Sequence, residues 1–298
     1  MKNGRKMKPS NMKNVLITGA NSYVGTSFEK WLSQWPDKYH VDTVGMIDGS
    51  WREKSFKGYD AVFHVAGIAH RKETKQNAHL YYEVNRDMAI ETAKKAKSDG
   101  VHQFIFMSSM SVYGMETGVI TKDTVPNPKT HYGKSKLEAE EGINRLSDKS
   151  FRVAILRPPM IYGKGCKGNY QRLAKFARIT PVFPNIENKR SMIYIVNLSE
   201  YVRKIVEITM NKVCLPQNDQ YICTKDLVSK IAALHGKCVN FTQTFSPILK
   251  GLIGINSSIT KLFGNLYYDS TSDLCNTFSF DESIRMTEIT LSNIDRHR

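Results

Sequence analysis

The chain has 298 residues, 41% of them hydrophobic, and a formal charge of +15, so it can bury one large α/β domain or a cofactor domain with a smaller partner. No apolar run approaches the ~18 to 20 residues that span a bilayer, and Val15-Leu16-Ile17 is too short for a signal-peptide core, so a cytoplasmic protein is expected. Lys2, Arg5, Lys6, Lys8 and Lys13 put part of the charge in or beside a flexible basic tail over residues 1–11, and no basic stripe interleaved with aromatics follows, so nucleic acid is not an expected partner.

Val15 to Thr18 reads as a short strand entering the turn Thr18-Gly19-Ala20-Asn21-Ser22-Tyr23-Val24-Gly25. Val24, Phe28, Trp31, Leu32 and Trp35 then recur at helical spacing. Strand, turn and helix in this order let a helix N-terminus hold a dinucleotide phosphate. Gly19 makes the tight turn, Gly25 lets the helix pack on the strand, and Asn21, Ser22, Tyr23 and Val24 complete the expected cofactor contact. Ser22 stands where a glycine is usual.

His40 to Ile47 is the expected second strand. Asp42 and Asp48 both fall near the ~20-residue distance at which an acid holds the adenosine ribose. Asp48 is the preferred contact, while Arg52 and Lys54 follow closely enough to meet a 2′-phosphate, so NAD(H) and NADP(H) both stay open. Ala61 to Val65 is the third strand, with Val65, Ala66 and Gly67 against the cofactor and His64 as a core histidine. The next helix carries Leu80, Val84, Met88, Ile90 and Ala93 and stops at Gly100. Its Asn85 either links strand-end backbone groups behind the nicotinamide or caps a local turn.

Gln103 to Met107 is the fourth strand and runs into Ser108-Ser109. Tyr132 follows Ser109 by 23 residues, after the turn-rich Pro126-Asn-Pro128, and Lys136 lies four residues beyond it. On a helix that spacing sets phenol and ammonium on one face, one turn apart. The cation is expected to lower a phenol pKa that starts near ~10. With a Ser109 hydroxyl on the same substrate oxygen, the set reads as hydride transfer at a carbinol or ketone carbon.

Arg152 to Leu156 is the next strand, closed by Arg157-Pro158-Pro159. Strands alternating with helices predict an α/β fold with a doubly wound, Rossmann-type parallel sheet. Residues 12–163 form the expected NAD(P)-binding domain, and 164–298 a smaller substrate-binding region whose segment 191–212 packs back on the first. Beyond the glycine-marked loop at 163–168, the pattern predicts helices from Tyr170 to Ile179, Leu198 to Met210 and Asp226 to His235. It adds a strand over Ser191 to Val196 and one amphipathic helix around Ile248 to Leu262. The last thirty residues carry no readable pattern. Cys166, Cys214, Cys223, Cys238 and Cys275 have no metal-ligand spacing, read as reduced thiols, and predict no metal.

Together these residues resemble an extended short-chain dehydrogenase/reductase of the nucleotide-sugar branch. The resemblance rests on Thr18 through Gly25, Asp60-Ala-Val-Phe-His64-Val-Ala66-Gly67, Ser108-Ser109-Met110-Ser111-Val112-Tyr113-Gly114 and Tyr132-x3-Lys136. Arg157-Pro158 with Tyr162-Gly163, and Arg190-Ser-Met-Ile-Tyr-Ile-Val-Asn-Leu198, complete it. The wording around Ser-Met-Ser-Val-Tyr-Gly and Arg-Pro-Pro-Met-Ile-Tyr-Gly-Lys-Gly is similar to bacterial capsule and O-antigen enzymes that reduce UDP-4-keto-6-deoxy-N-acetylhexosamines.

The resemblance implies catalytic roles for three residues. Tyr132 is the general acid at the C4 oxygen, Lys136 binds the nicotinamide ribose and tunes Tyr132, and Ser109 holds the carbonyl oxygen. It further implies Ser111, Asn169 and Arg190 on a UDP-sugar, with Arg190 on the diphosphate or, alternatively, in a structural ion pair. A homodimer is implied as well. Met110-Ser111 replaces the Asp-Glu of 4,6-dehydratases. Met160 stands where UDP-galactose epimerases commonly carry asparagine, and Ala69 where they carry a cofactor-holding lysine. The first expectation is therefore NAD(P)H-dependent reduction of the C4 ketone for surface polysaccharide. A UDP-hexose or UDP-N-acetylhexosamine 4-epimerase comes second. A non-catalytic, dinucleotide-sensing or RNA-binding short-chain fold comes last, because Ser109, Tyr132 and Lys136 are intact.

Overall fold

A computed structural model describes residues 12–69, 71, 73–244, 246–269 and 276–289. The basic tail over residues 1–11 and Cys275 lie outside the described residues. Strand β1 (Lys13–Thr18), helix α1 (Tyr23–Leu32) and β2 (Tyr39–Val44) come first. Next are β3 (Ala61–His64), α2 (Ala78–Tyr82), one π-helical turn (Glu83–Asp87), α3 (Met88–Ser98) and β4 (Gln103–Met107). The short β5 (Gly118–Ile120), α4 (His131–Asn144), β6 (Arg152–Leu156) and β7 (Met160–Tyr162) follow. The remainder holds α5 (Asn169–Ala177), β8 (Val182–Pro184), β9 (Met192–Tyr194), α6 (Ile195–Ile208) and β10 (Lys212–Cys214). It closes with α7 (Thr224–Leu234), β11 (Asn240–Thr242), α8 (Ser246–Leu252), α9 (Ser257–Phe263), β12 (Leu266–Tyr268) and α10 (Phe280–Glu288).

Six strands form one parallel sheet in the order β10-β6-β4-β3-β1-β2. Its inner strands are largely buried and mostly apolar because helices cover both faces. Alternate residues serve opposite layers: Val15, Ile17 and Phe63 pack with Phe28 of α1 and Leu198 of α6. Leu16, Val62 and Phe104 pack with Ala93 of α3 and Ala139 of α4. The direction of winding reverses between β1 and β3, the switch point at which such sheets bind ligands. Among the described residues β2 alone lies beyond β1, where the two-half dinucleotide fold carries two strands.

Several elements depart from the sequence expectation for local reasons. β2 ends at Val44, whose carbonyl accepts from Gly19 N (2.9 Å) and Ala20 N (3.1 Å), which fixes the strand end to the glycine turn. The single amphipathic helix over 248–262 is two. Gly254 takes φ +88°, and Asn256 caps α9 by accepting from Ser258 N and Ile259 N. β12, paired with β5, lies just before the last thirty residues, whose unread pattern includes α10, opened by a Ser279/Glu282 capping box. Beyond residue 163, β10 extends the main sheet beside β6, and Trp31 Nε1 of α1 donates to Glu200 of α6 at 2.9 Å. No helix among the described residues is long and apolar enough to cross a membrane.

Candidate active site

The phosphate turn is built by close approach. Gly19 takes φ +109°, and a β-carbon there would stand 2.7 Å from the Ala66 nitrogen, so the ends of β1 and β3 meet where only glycine fits. Asn21 also takes a positive φ, +65°. Ser22 replaces the usual glycine with an N-cap: its hydroxyl accepts from Gly25 N at 3.1 Å and so fixes the start of α1. A β-carbon on Gly25 would lie 3.2 Å from both Ile17 and Val65, the tight helix-on-strand packing expected of it. Tyr23 turns its buried hydroxyl toward Gly163, and Val24 packs against the core. This cradle fits a dinucleotide: two strand ends leave room for no side chain, beside a helix start whose first N–H groups have no helical acceptor. Asp48 lies past the end of β2, exposed, and its carboxylate accepts from Ser50 N (3.1 Å) and Ser50 Oγ (2.8 Å). Asp42 instead accepts from the Tyr59 hydroxyl at 2.5 Å.

On the other side of the crevice, Ser109 caps a short 3-10 turn (Met110–Tyr113); its hydroxyl accepts from Ser111 N and donates to Ser111 Oγ, both at 3.1 Å. That turn is brought to α4 by Gly133, where a β-carbon would stand 2.7 Å from the Ser111 carbonyl. Tyr132 and Lys136 therefore face the end of β4. Lys136 is buried and donates to the Met107 carbonyl at 2.8 Å, with its ammonium 4.7 Å from the Phe106 ring centre. A β-carbon on Gly67 would lie 3.2 Å from Lys136 Nζ and 2.9 Å from Asn85 Oδ1. Asn85, in the π-helical turn, accepts from Ile68 N (2.7 Å) and donates to the Ile68 carbonyl (3.1 Å) and Ser135 Oγ (3.2 Å). It thus joins the loop after β3 to α4.

Electrostatics differ from the sequence expectation at one point. Burial pushes the Tyr132 phenol above its ordinary value; the Ser109 hydroxyl pulls it down and Tyr81 adds to the rise. A tyrosine protonated at neutral pH is a proton donor ready for use. Burial lowers Lys136 to about 8, with Glu140 opposing. His64 is pushed down to about 3 by burial and by Lys136, and its Nδ1 lies 2.7 Å from Thr18 Oγ1, so it stays neutral in the core.

Of the residues read as substrate contacts, Ser111 stands exposed beside Ser109. Asn169 opens α5, exposed, and is hydrogen-bonded to none of these groups among the described residues. Arg190 is half-buried between Ile222 and Leu266 and donates to the carbonyls of Gly264 (2.9 Å) and Thr260 (3.5 Å). Burial pushes it down to about 10, against the pull of Glu116. The structural ion pair is not found: among the described residues no carboxylate comes within salt-bridge distance of Arg190.

Sequence reading missed two carboxylates. Glu73 accepts from His131 N (2.9 Å) and Tyr132 N (3.0 Å), capping α4 from a distant loop. Glu140 is buried on α4 and paired with Arg157. Its place four residues after Lys136, on the same stripe, was a usable signal hidden within an acidic run.

Residues 15–209 match the NAD dependent epimerase/dehydratase family. A UDP-glucose 4-epimerase from Vibrio cholerae is 33% identical over 247 residues, covering 74% of this chain and 75% of that protein. An N-acetyl-alpha-D-glucosaminyl-diphospho-ditrans,octacis-undecaprenol 4-epimerase from Escherichia coli O157:H7 is 29% identical, covering 64% of this chain and 62% of that protein. Both are 4-epimerases, the reaction that the sequence reading set second. The UDP-glucuronic acid 4-epimerase from Bacillus cereus, solved in complex with NAD, is 18% identical and superposes with a TM-score of 0.70 over 92% of this chain and 97% of its own. That last likeness speaks to the fold. The family match, the 33% identity and the phosphate cradle facing Tyr132 and Lys136 agree, and the chain belongs to the NAD dependent epimerase/dehydratase family.

Proposed function

We propose that the protein is an NAD-dependent 4-epimerase of a UDP-hexose or UDP-N-acetylhexosamine. The observation that carries this reading is the grouping of Ser109, Tyr132 and Lys136 beside the glycine cradle, in a chain 33% identical to a UDP-glucose 4-epimerase. Bound NAD would supply the acceptor and donor for the hydrogen at C4. Tyr132 enters this cycle as the phenolate, favoured against burial by the Lys136 ammonium and the positive charge that bound NAD would bring; it takes the proton of the C4 hydroxyl as that oxygen becomes a carbonyl and returns it when the alcohol reforms. Ser109 donates a hydrogen bond to the same oxygen, and Lys136 holds the nicotinamide ribose. Epimerisation needs the keto sugar to show its second face while the diphosphate stays held.

Arg190 supports that anchoring role, because a half-buried guanidinium whose hydrogen bonds among the described residues go to carbonyls, with Glu116 acting on it only electrostatically, is well satisfied by an arriving anion. Arg190→Ala is expected to raise KM for the UDP-sugar by roughly 1.5 to 3 kcal/mol in free-energy terms, with cofactor affinity unchanged. Equal effects on both ligands would assign it to the fold.

A second reading is 4-ketoreduction of a UDP-4-keto-6-deoxy-N-acetylhexosamine. Ala69 favours it, standing exposed in the loop after β3 without the charge that related epimerases are expected to carry there. One experiment separates the two. Purified protein is incubated with UDP-N-acetylglucosamine or UDP-glucose and added NAD, and the sugar is identified by NMR. Interconversion with the galacto form is the expected result. No interconversion, together with stoichiometric consumption of NADH or NADPH on the keto sugar, would reject the epimerase and install the reductase.

A further inference from the structure

Glu140 and Arg157 form an ion pair with side chains 3% and 11% exposed. Arg157 Nη2 reaches Glu140 Oε2 at 2.5 Å, and Nε stands 3.1 Å from both carboxylate oxygens. Burying two charges forfeits their hydration, and an apolar pair of like volume often serves stability as well or better. The pair therefore calls for a reason other than holding the core together, and its neighbours supply one. Ser108, next to Ser109, donates its hydroxyl to Glu140. Arg157 Nη1 donates to the Tyr113 hydroxyl (2.9 Å) at the end of the Ser109 turn. The Tyr268 hydroxyl of β12 donates to the Arg157 carbonyl at 2.6 Å, and Tyr268 N donates to Ser191 Oγ at 2.9 Å, beside Arg190. Glu140 itself lies two helical turns after Tyr132 and one after Lys136 on α4. One pair thus touches the Ser109 turn, the catalytic helix and the strand region that carries Arg190.

We infer that Glu140 and Arg157 are positioning residues that hold Ser109, the Tyr132–Lys136 helix and the β12 side of the substrate region in one register for the C4 reaction. The inference rests on the catalytic reading given above. It adds a role to groups that touch neither cofactor nor sugar.

A purely structural pair and a positioning pair predict different pH behaviour. The charged or titratable groups facing Lys136 are Tyr132 and Glu140 on its own helix, His64 on β3, and Arg157 behind Glu140 at the end of β6. His64 is neutral, and Glu140 is the group that raises Lys136 against the effect of burial. Without that carboxylate the ammonium loses its proton at lower pH.

Glu140→Gln keeps the side chain's shape and its acceptor for Ser108. It is expected to lower kcat by about 10- to 100-fold, the scale of a sub-ångström to ångström misplacement, with KM for the UDP-sugar within about threefold of wild type. The alkaline limb of kcat is expected to move to lower pH. The same shift is expected in the pH dependence of NADH binding, read by nicotinamide fluorescence with no sugar present. Should Glu140→Gln fold poorly, the double variant Glu140→Gln/Arg157→Met removes both buried charges and is read in the same way. A kcat loss no larger than the loss of folded protein, with both pH profiles superimposed on wild type, would overturn the inference. If wild type and Tyr132→Phe are equally inert on every UDP-sugar, the catalytic reading fails instead. The NADH titration then decides the Glu140 effect on its own.

Discussion

In the proposed reaction Tyr132 must both take and return a proton and Lys136 must keep a charge, and burial acts on both. Tyr132→Phe removes the hydroxyl and leaves the ring against Tyr81, so kcat is expected to fall by at least ~10²-fold with the melting temperature unchanged. Activity within a few-fold of wild type would remove Tyr132 from the mechanism. Lys136 carries a stability cost whose sign follows from linkage. Its folded pKa, about 8, lies below the ordinary 10.5, so below pH 8 the fold holds a desolvated ammonium. Between 8 and 10.5 the unfolded chain binds the extra proton and stability rises with pH. Lys136→Met should therefore abolish turnover yet raise the melting temperature near pH 7 by a few degrees, from a gain of up to roughly 3 kcal/mol. That gain should shrink toward pH 10, and a variant less stable than wild type at pH 7 would show that the Met107 and Phe106 contacts outweigh desolvation.

At the scale of elements, the catalytic helix depends on a cap from outside its own sequence neighbourhood. Thr130 accepts from Gly133 N at 3.1 Å, and Glu73 takes the two N–H groups before it. Glu73→Ala leaves His131 N and Tyr132 N without those partners and is expected to cost about 1 kcal/mol of stability. A fall in kcat larger than the stability loss explains is expected too, since the freed turn carries Tyr132. Equal kcat in the two proteins would make Glu73 a cap and nothing more. Local signals made some elements readable: apolar runs leading into glycine gave β1 and β3, the apolar run before Ser108-Ser109 gave β4, and the Tyr132–Lys136 spacing gave α4. What escaped was set by distance. Glu73 and the Ser109 turn meet α4 only through tertiary contacts, and β12 exists because β5, far upstream, offers it an edge. The α8–α9 break was present as Gly254 and Asn256, and the α10 start as Ser279-Phe-Asp-Glu282, both punctuation inside segments judged by apolar content alone.

Across the whole molecule, strand pairing and hydrogen bonds cross the boundary drawn at residue 163. β10 pairs with β6, and the Tyr162 hydroxyl is bonded to Asn218 (2.8 Å) and Ser283 (2.6 Å). A chain ending at residue 209, where the family match stops, would expose the β6 edge and leave Tyr162 unpartnered in the core. It is expected to be insoluble or to lack a cooperative thermal transition. A soluble fragment with native-like melting would show that the cofactor half folds unaided.

The sheet's outer limit at β2 has a consequence in time. Past that strand the chain runs through a fully exposed Ile47 and an exposed Asp48, so the adenosine end of a bound dinucleotide would rest on one strand and an open loop. Its lifetime on the protein would then be short compared with that on a sheet with a further strand. An epimerase that restores its own NAD in each cycle has no need to exchange it, but one that releases it between cycles samples the surrounding pool. Turnover would then follow the surrounding ratio of oxidised to reduced nicotinamide, which makes the rate of the reaction a readout of redox state.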